Sequence, residues 1–226
     1  DLHQFEDSAD CGDCYDYCPL PVQETSDLVV SDVHVETVRT SGLVKTLAAD
    51  YRLRVPASLT QDGRGRSLEM VELPVRTLLK LRAGSPYLEV VTELDNEATD
   101  HRLRLLFPSG VEAGTVHADG HFWIASRRAR PISTRDWHQP PTEAQPHHTW
   151  FSAEDEAAGL AILSEGLPEH AGLGDPEGLT LALTLLRGVG WLSRGNLCTR
   201  KGHSGPAKPT PDAQCLGTHR FRYAIL

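Results

Sequence analysis

The chain has 226 residues, 31 acidic against 22 basic side chains for a formal net charge of −9, with 19 Gly and 15 Pro. That length suits one large domain or two small ones, and it buries roughly 70% of the unfolded surface without a disulfide or metal staple. No run approaches the ~18 consecutive apolar residues of a membrane helix, and the start lacks the basic flank and apolar stretch of a signal peptide, so neither is expected. The acidic balance, relieved only by the basic run Ser126-Arg127-Arg128-Ala129-Arg130, repels a polyphosphate backbone and argues against nucleic-acid binding. Because the chain opens at Asp1 without a methionine, it reads as a piece of a longer polypeptide.

Residues 1–26 are acidic and are read as an irregular lead-in, with Cys11, Cys14 and Cys18 interleaved among Asp10, Asp13 and Asp16 before Pro19-Leu20-Pro21. From residue 27 to 226 the dominant period is two. Leu47, Ala49, Tyr51, Leu53 and Val55 alternate with polar residues, which predicts a strand with one dry and one wet face. Val75 to Leu81 and Leu88 to Leu94 repeat the pattern, as do Leu103 to Phe107, Leu181 to Leu185 and Phe221 to Ile225. Turn signals at 61–65, 83–86, 95–96 and 108–110 separate the runs, and connections that short join antiparallel neighbours. The best helix candidate, Ala153 to Leu160, is broken by Gly159. An all-β antiparallel sandwich follows. Segments 127–149 and 188–218 do not alternate and are rich in Pro, Gly, Trp and His, as expected of loops that dock against another surface.

Motifs for chemistry are sparse. Three closely spaced thiols suggest Zn or an iron-sulfur cluster, but Cys11, Cys14 and Cys18 bring no obvious fourth ligand, and the neighbouring Asp residues disfavour thiolates. They are therefore read as ordinary reduced cysteines, and the odd total of 5 fits a reducing, cytoplasmic compartment. His147 and His148 are adjacent, which on a strand sends their rings to opposite faces. Arg127-Arg128 is read either as a solvated strand end or as a guanidinium reaching a neighbouring site. A nucleophile elbow, a phosphate-binding glycine loop and a recognisable carboxylate pair are all missing.

Taken together, the motifs resemble a known family. Phe5-Glu6-Asp7 followed by Gly12-Asp13-Cys14-Tyr15-Asp16-Tyr17-Cys18-Pro19 is similar to the passage that follows the catalytic part of bacterial α-mannosidases of glycoside hydrolase family 38. Asp95-Asn96, Asp100 to Arg104, Phe107-Pro108 and Ala118-Asp119 resemble later stretches of it, as do Leu181 to Arg187, Gly205-Pro206, Thr210 to Cys215 and Gly217 to Phe221. The resemblance implies a galactose mutarotase-like super-sandwich that belongs to a retaining α-mannosidase. It also implies that the Asp nucleophile and a zinc ion lie in an N-terminal barrel outside this chain, so that neither a catalytic residue nor a metal ligand is expected here. Tyr15 matches a tyrosine that contacts substrate in similar enzymes. Arg127, with Arg128 as its rival, matches an arginine that approaches the same pocket. The implied substrate is an α-mannoside or a mannosyl conjugate such as mannosylglycerate; the alternative is a stand-alone carbohydrate-binding module that uses Trp123, Trp137, Trp150 and Trp191.

Overall fold

A computed structural model of the chain describes residues 3–20, 28–129, 137, 139, 141–175 and 178–226. Its described residues form the strands β1 (Gln4–Ala9), β2 (Val29–Thr40), β3 (Val44–Pro56), β4 (Met70–Arg82), β5 (Leu88–Asn96), β6 (His101–Val111) and β7 (Thr115–Gly120). They continue as β8 (Trp123–Arg128), β9 (Ala144–Pro146), β10 (Trp150–Glu154), β11 (Gly159–Glu165), β12 (Glu169–Asp175), β13 (Gly178–Arg187) and β14 (Gly217–Ile225). One short 3-10 turn, Pro211–Gln214, precedes β14. No helix of the described residues is long and apolar enough to cross a membrane.

The strands make two antiparallel sheets, five-stranded in the order β1-β6-β13-β12-β9 and nine-stranded in the order β2-β3-β4-β5-β14-β11-β10-β7-β8. This is the super-sandwich class expected from the sequence. Between the sheets, Leu103, Leu105 and Phe107 of β6 and Leu181 and Leu183 of β13 share one core with Leu53, Leu73, Leu94, Phe151 and Ile162 of the larger sheet. Each such side chain contributes about 1.5–3 kcal/mol by leaving water.

Two sequence expectations change, for the lead-in and for the arginine face of β6. The lead-in is not irregular throughout: residues 4–9 form β1 and pair with β6 from Gln4↔Leu106 to Ala9↔His101. Ala153 to Leu160, excluded as a helix by Gly159 on sequence, is the turn of the β10–β11 hairpin, where Asp155 accepts the backbone N–H of Ala157 and Ala158 and so satisfies the loop locally. The alternation in β6 predicts a wet arginine face, yet Arg102 and Arg104 are 2% and 4% exposed. Their face is dry because the lead-in and the segment before β9 lie over it, which places Tyr17, Glu6 and Glu143 against the guanidinium groups. Residues 1, 2 and 21–26 of the lead-in and 130–136, 138 and 140 of segment 127–149 lie outside the described residues.

What holds the lead-in down is charge. Asp7, Asp10 and Asp13 are all buried. Asp7 pairs with Arg66 and with His101 Nδ1, the latter at 2.6 Å. Asp10 takes Arg187 at 2.7 Å, and its other oxygen accepts the N–H of Gly12 and Cys18. Asp13 accepts four hydrogen bonds: from the backbone N–H of Tyr15, Asp16 and Arg194 and, at 2.6 Å, from Arg200 Nη2. A carboxylate this dry is tolerated only when both oxygens are satisfied.

Burial also neutralises imidazoles, those of His147 and His170 as well as that of His3. His147 and His170 pack on Phe151 at 4.9 and 4.8 Å between centroids, and desolvation lowers their pKa values to about 4 and about 3. His148, next in sequence, is exposed, so the adjacent pair does split between core and solvent.

Two outcomes are expected. Asp13→Ala removes one of the two carboxylates that pair with Arg200, Asp16 being the other, and orphans the backbone N–H groups of Tyr15, Asp16 and Arg194, so it should cost about 3–5 kcal/mol in chemical denaturation. For the histidines, the unfolded chain takes up protons near pH 6.5 while the folded chain refuses them until pH 4 or below. Stability is therefore full above pH 6.5 and falls as pH drops towards 4, by about 1.4 kcal/mol per unit for each group. The slope of stability against pH in that window should become shallower in His170→Leu.

Candidate functional site

The covered face of the five-stranded sheet carries the candidate site. It begins at the turn formed by residues 10–18, where Cys11 N–H donates to the Cys18 carbonyl and closes the loop. Gly12 is required there by space: a Cβ would lie 2.0 Å from the Asp16 carbonyl oxygen and 2.7 Å from Asp10 Oδ1. Asp13, next in sequence, fixes the backbone N–H groups of Tyr15 and Asp16. The Gly-Asp pair thus serves to aim Tyr15 and Asp16.

Tyr15 is 53% exposed. Gly205 comes so close to its ring that a Cβ there would meet Tyr15 Oη at 2.7 Å. Tyr15 and Tyr17 both line a cavity of about 690 Å³, together with Arg102, Glu143, Glu169 and Arg187. Tyr17 stands between the arginines, with Arg102 Cζ 3.6 Å and Arg187 Cζ 5.9 Å from its ring centroid. Desolvation raises its phenol pKa, against the pull of Arg102.

Arg102 is the least satisfied group in the cavity wall. Its Nε and Nη1 have no hydrogen-bond partner among the described residues, and its Nη2 is 3.8 Å from Glu143 Oε1. Burial, followed by the like charge of Arg104, lowers its pKa. Arg104 differs, being held by both oxygens of Glu6 at 2.7 and 3.0 Å and by Glu143 at 3.1 Å. Burial disfavours its charge, and the carboxylates of Glu6 and Glu143 outweigh that and raise its pKa. Glu169 accepts from Thr184 at 2.6 Å, and Asp16 accepts from Gln139 at 2.8 Å. The wall offers donors and acceptors side by side over an aromatic ring, a combination that suits hydroxyl groups better than a simple ion.

Arg127 is not among the cavity-lining residues. It is half-buried at the end of β8, and its Nη1 donates to the Pro146 carbonyl at 3.5 Å. Pro146 belongs to the cavity wall, so the guanidinium stands behind that wall. Arg128 is exposed. None of the four tryptophans lines the cavity. Sequence reading missed Arg102, Glu143 and Glu169: an arginine on an alternating strand looks solvated until the segments that cover it are in place.

The cysteines do not gather as their spacing suggested. Among the described residues no three His, Cys, Asp or Glu side chains converge as a metal ion requires. Cys198, far from them in sequence, brings its Sγ within 2.8 Å of Cys18 Sγ. Cys14 Sγ is 3.7 Å from Thr210 Oγ1. Desolvation first, then Cys18 and Asp10, push the Cys11 thiol up to about 11.

Comparison with known proteins bears on this geometry. A protein of Halalkalibacterium halodurans named "Putative mannosylglycerate hydrolase" is 29% identical over 98% of this chain and 24% of its own length. The crystal structure of an alpha-mannosidase from Enterococcus faecalis superposes with a TM-score of 0.82 at 26% identity, over 99% of this chain and 25% of that one. A second Enterococcus faecalis structure, of a protein in glycosyl hydrolase family 38, has the same fold, with a TM-score of 0.81 at 24% identity over 99% of this chain and 26% of that one. The chain thus spans about a quarter of the length of these relatives. Residues 1–213 match the glycosyl hydrolases family 38 C-terminal domain, and the chain belongs to that family.

Proposed function

We propose that this chain is the C-terminal sandwich of a cytoplasmic enzyme that hydrolyses α-mannosides with retention, and that its substrate is an α-mannoside or a mannosyl conjugate such as mannosylglycerate. The observation that carries the reading is the family match over residues 1–213, in a chain that covers a quarter of an alpha-mannosidase. Retaining glycoside cleavage needs a carboxylate nucleophile and a carboxyl acid about 5–5.5 Å apart. In this reading both lie in the upstream catalytic part, together with zinc, which would contact sugar hydroxyls. The role of this chain is to close the pocket.

Tyr15 is the proposed substrate contact, because it is exposed at the mouth of the cavity and its backbone is fixed by Asp13. Arg127 is the proposed second contact, reaching the same region from behind Pro146. Residues 1–26, 127–149 and 188–218 form the proposed face towards the catalytic part. A second reading, a self-sufficient carbohydrate-binding module, is favoured by one feature, the cavity with its mixed donors, acceptors and tyrosines. Calorimetry of the isolated chain with mannose and mannobiose separates the two, since a module gives binding heat and a wall of a larger pocket gives none.

With an aryl α-mannoside, the full-length protein should turn over while the isolated chain shows no activity; turnover by the chain alone that survives zinc chelation overturns the reading. In the full-length protein, Tyr15→Phe and Arg127→Ala should each weaken transition-state binding by about 0.5–3 kcal/mol, read from kcat/KM. Gly205→Ala should push the Tyr15 hydroxyl aside and reproduce part of the Tyr15→Phe defect with little change in melting temperature, because the atom it displaces is the exposed end of a side chain. Unchanged kinetics in all three variants would remove this face from the active site.

A further inference from the structure

We infer that Cys18 and Cys198 form a disulfide-bonding site that staples the lead-in to the loop after β13. The two Sγ atoms lie 2.8 Å apart although 180 positions separate them in sequence. Both approach one backbone oxygen, that of Pro19, at 3.8 Å from Cys18 and 3.6 Å from Cys198. Within this chain Cys18 is buried and Cys198 is exposed, so Cys198 is the thiol that a reagent meets first.

The surrounding backbone is already tied down. Cys18 N–H donates to Asp10 Oδ1, and Cys198 lies between Arg194, which donates to the Cys11 carbonyl, and Arg200, which pairs with Asp13. The thiols are therefore held together by ion pairs and backbone hydrogen bonds that do not depend on the sulfur atoms. Bond formation consumes little further conformational entropy, and the bond in turn restricts the unfolded chain. Its location links it to the cavity, since Pro19 and Thr199, the next residue after each cysteine, both line the wall.

The chemistry balances with a low-molecular-weight disulfide as oxidant. The Cys198 thiolate attacks one sulfur of the reagent, forming a mixed disulfide and releasing one thiol. The Cys18 thiolate then attacks Cys198 Sγ and expels the second thiol, so the protein loses two hydrogens and the reagent is reduced to two thiols. Desolvation, then the adjacent Cys18 thiol, hold the Cys198 pKa at about 11, so the first step is slow near neutrality and accelerates with pH.

The test is a disulfide map of the full-length protein treated with oxidised glutathione. Trypsin releases Cys198 in Gly195–Arg200, and cleavage before Asp16 and Asp27 separates Cys18 from Cys11 and Cys14. The expected product is a cross-link between those two peptides, lighter by the mass of two hydrogens and abolished by reductant. It should form about tenfold faster for each pH unit between pH 7 and 9. Its formation should raise the melting midpoint by about 5–10 °C, and Cys198→Ser, at an exposed position, should melt at the reduced protein's temperature with or without oxidant. Recovery of Cys198 as a stable glutathione adduct, unmodified, or linked to Cys11, Cys14 or Cys215 would overturn the proposal.

Discussion

A buried carboxylate organises this molecule: Asp13, fully enclosed, accepts two hydrogen bonds from its own turn and two from the loop after β13. An ionised group placed in a dry environment demands satisfaction at both oxygens, so the positions of Tyr15, Asp16, Arg194 and Arg200 are set together. Asp10 repeats the arrangement with Gly12, Cys18 and Arg187. Two segments distant in sequence and without a strand pairing between them are thereby fixed in one register. The sandwich core alone would leave them as surface loops.

That covering layer changes the chemistry of the sheet beneath it. Residues of β6 that alternate out of the core would meet water on a bare sheet. Here Arg102 stacks on Tyr17 and Arg104 is clasped by Glu6 and Glu143. The two guanidinium groups point the same way from the same strand, yet their surroundings drive their pKa values in opposite directions. One is saturated with carboxylate. The other keeps two buried donors unpaired behind a cavity wall that also carries Glu143, Glu169 and Arg187.

The parts of this arrangement that were legible in the sequence are those governed by local pattern. Period-two runs located the centres of β3, β4, β5, β6, β13 and β14, because a strand that packs one face on a core must alternate. The lead-in strand β1 was not legible: Gln4–Ala9 mixes Phe5 and Ala9 with Glu6 and Asp7, and its charged side chains are stabilised by partners on other elements. β2 hides for the opposite reason, since its valines at 33, 35 and 38 are exposed and obey no inside-outside rule. The Cys18–Cys198 encounter depends on the Asp13 network, which no spacing rule encodes.

The same dependence explains why the Gly-Asp-x-Tyr motif recognised in the sequence is informative out of proportion to its length. Gly12 admits the Asp16 carbonyl, Asp13 orients the Tyr15 backbone, and Gly205, from the far loop, leaves room for the Tyr15 ring. A tyrosine kept half-exposed gains little hydrophobic free energy from its position. Yet three separate features, two glycines and one buried carboxylate, constrain where it sits. Stability alone would be served as well by a residue turned into the cavity. A side chain anchored through its backbone and left half-exposed is what the proposed role at the rim of a mannoside pocket requires.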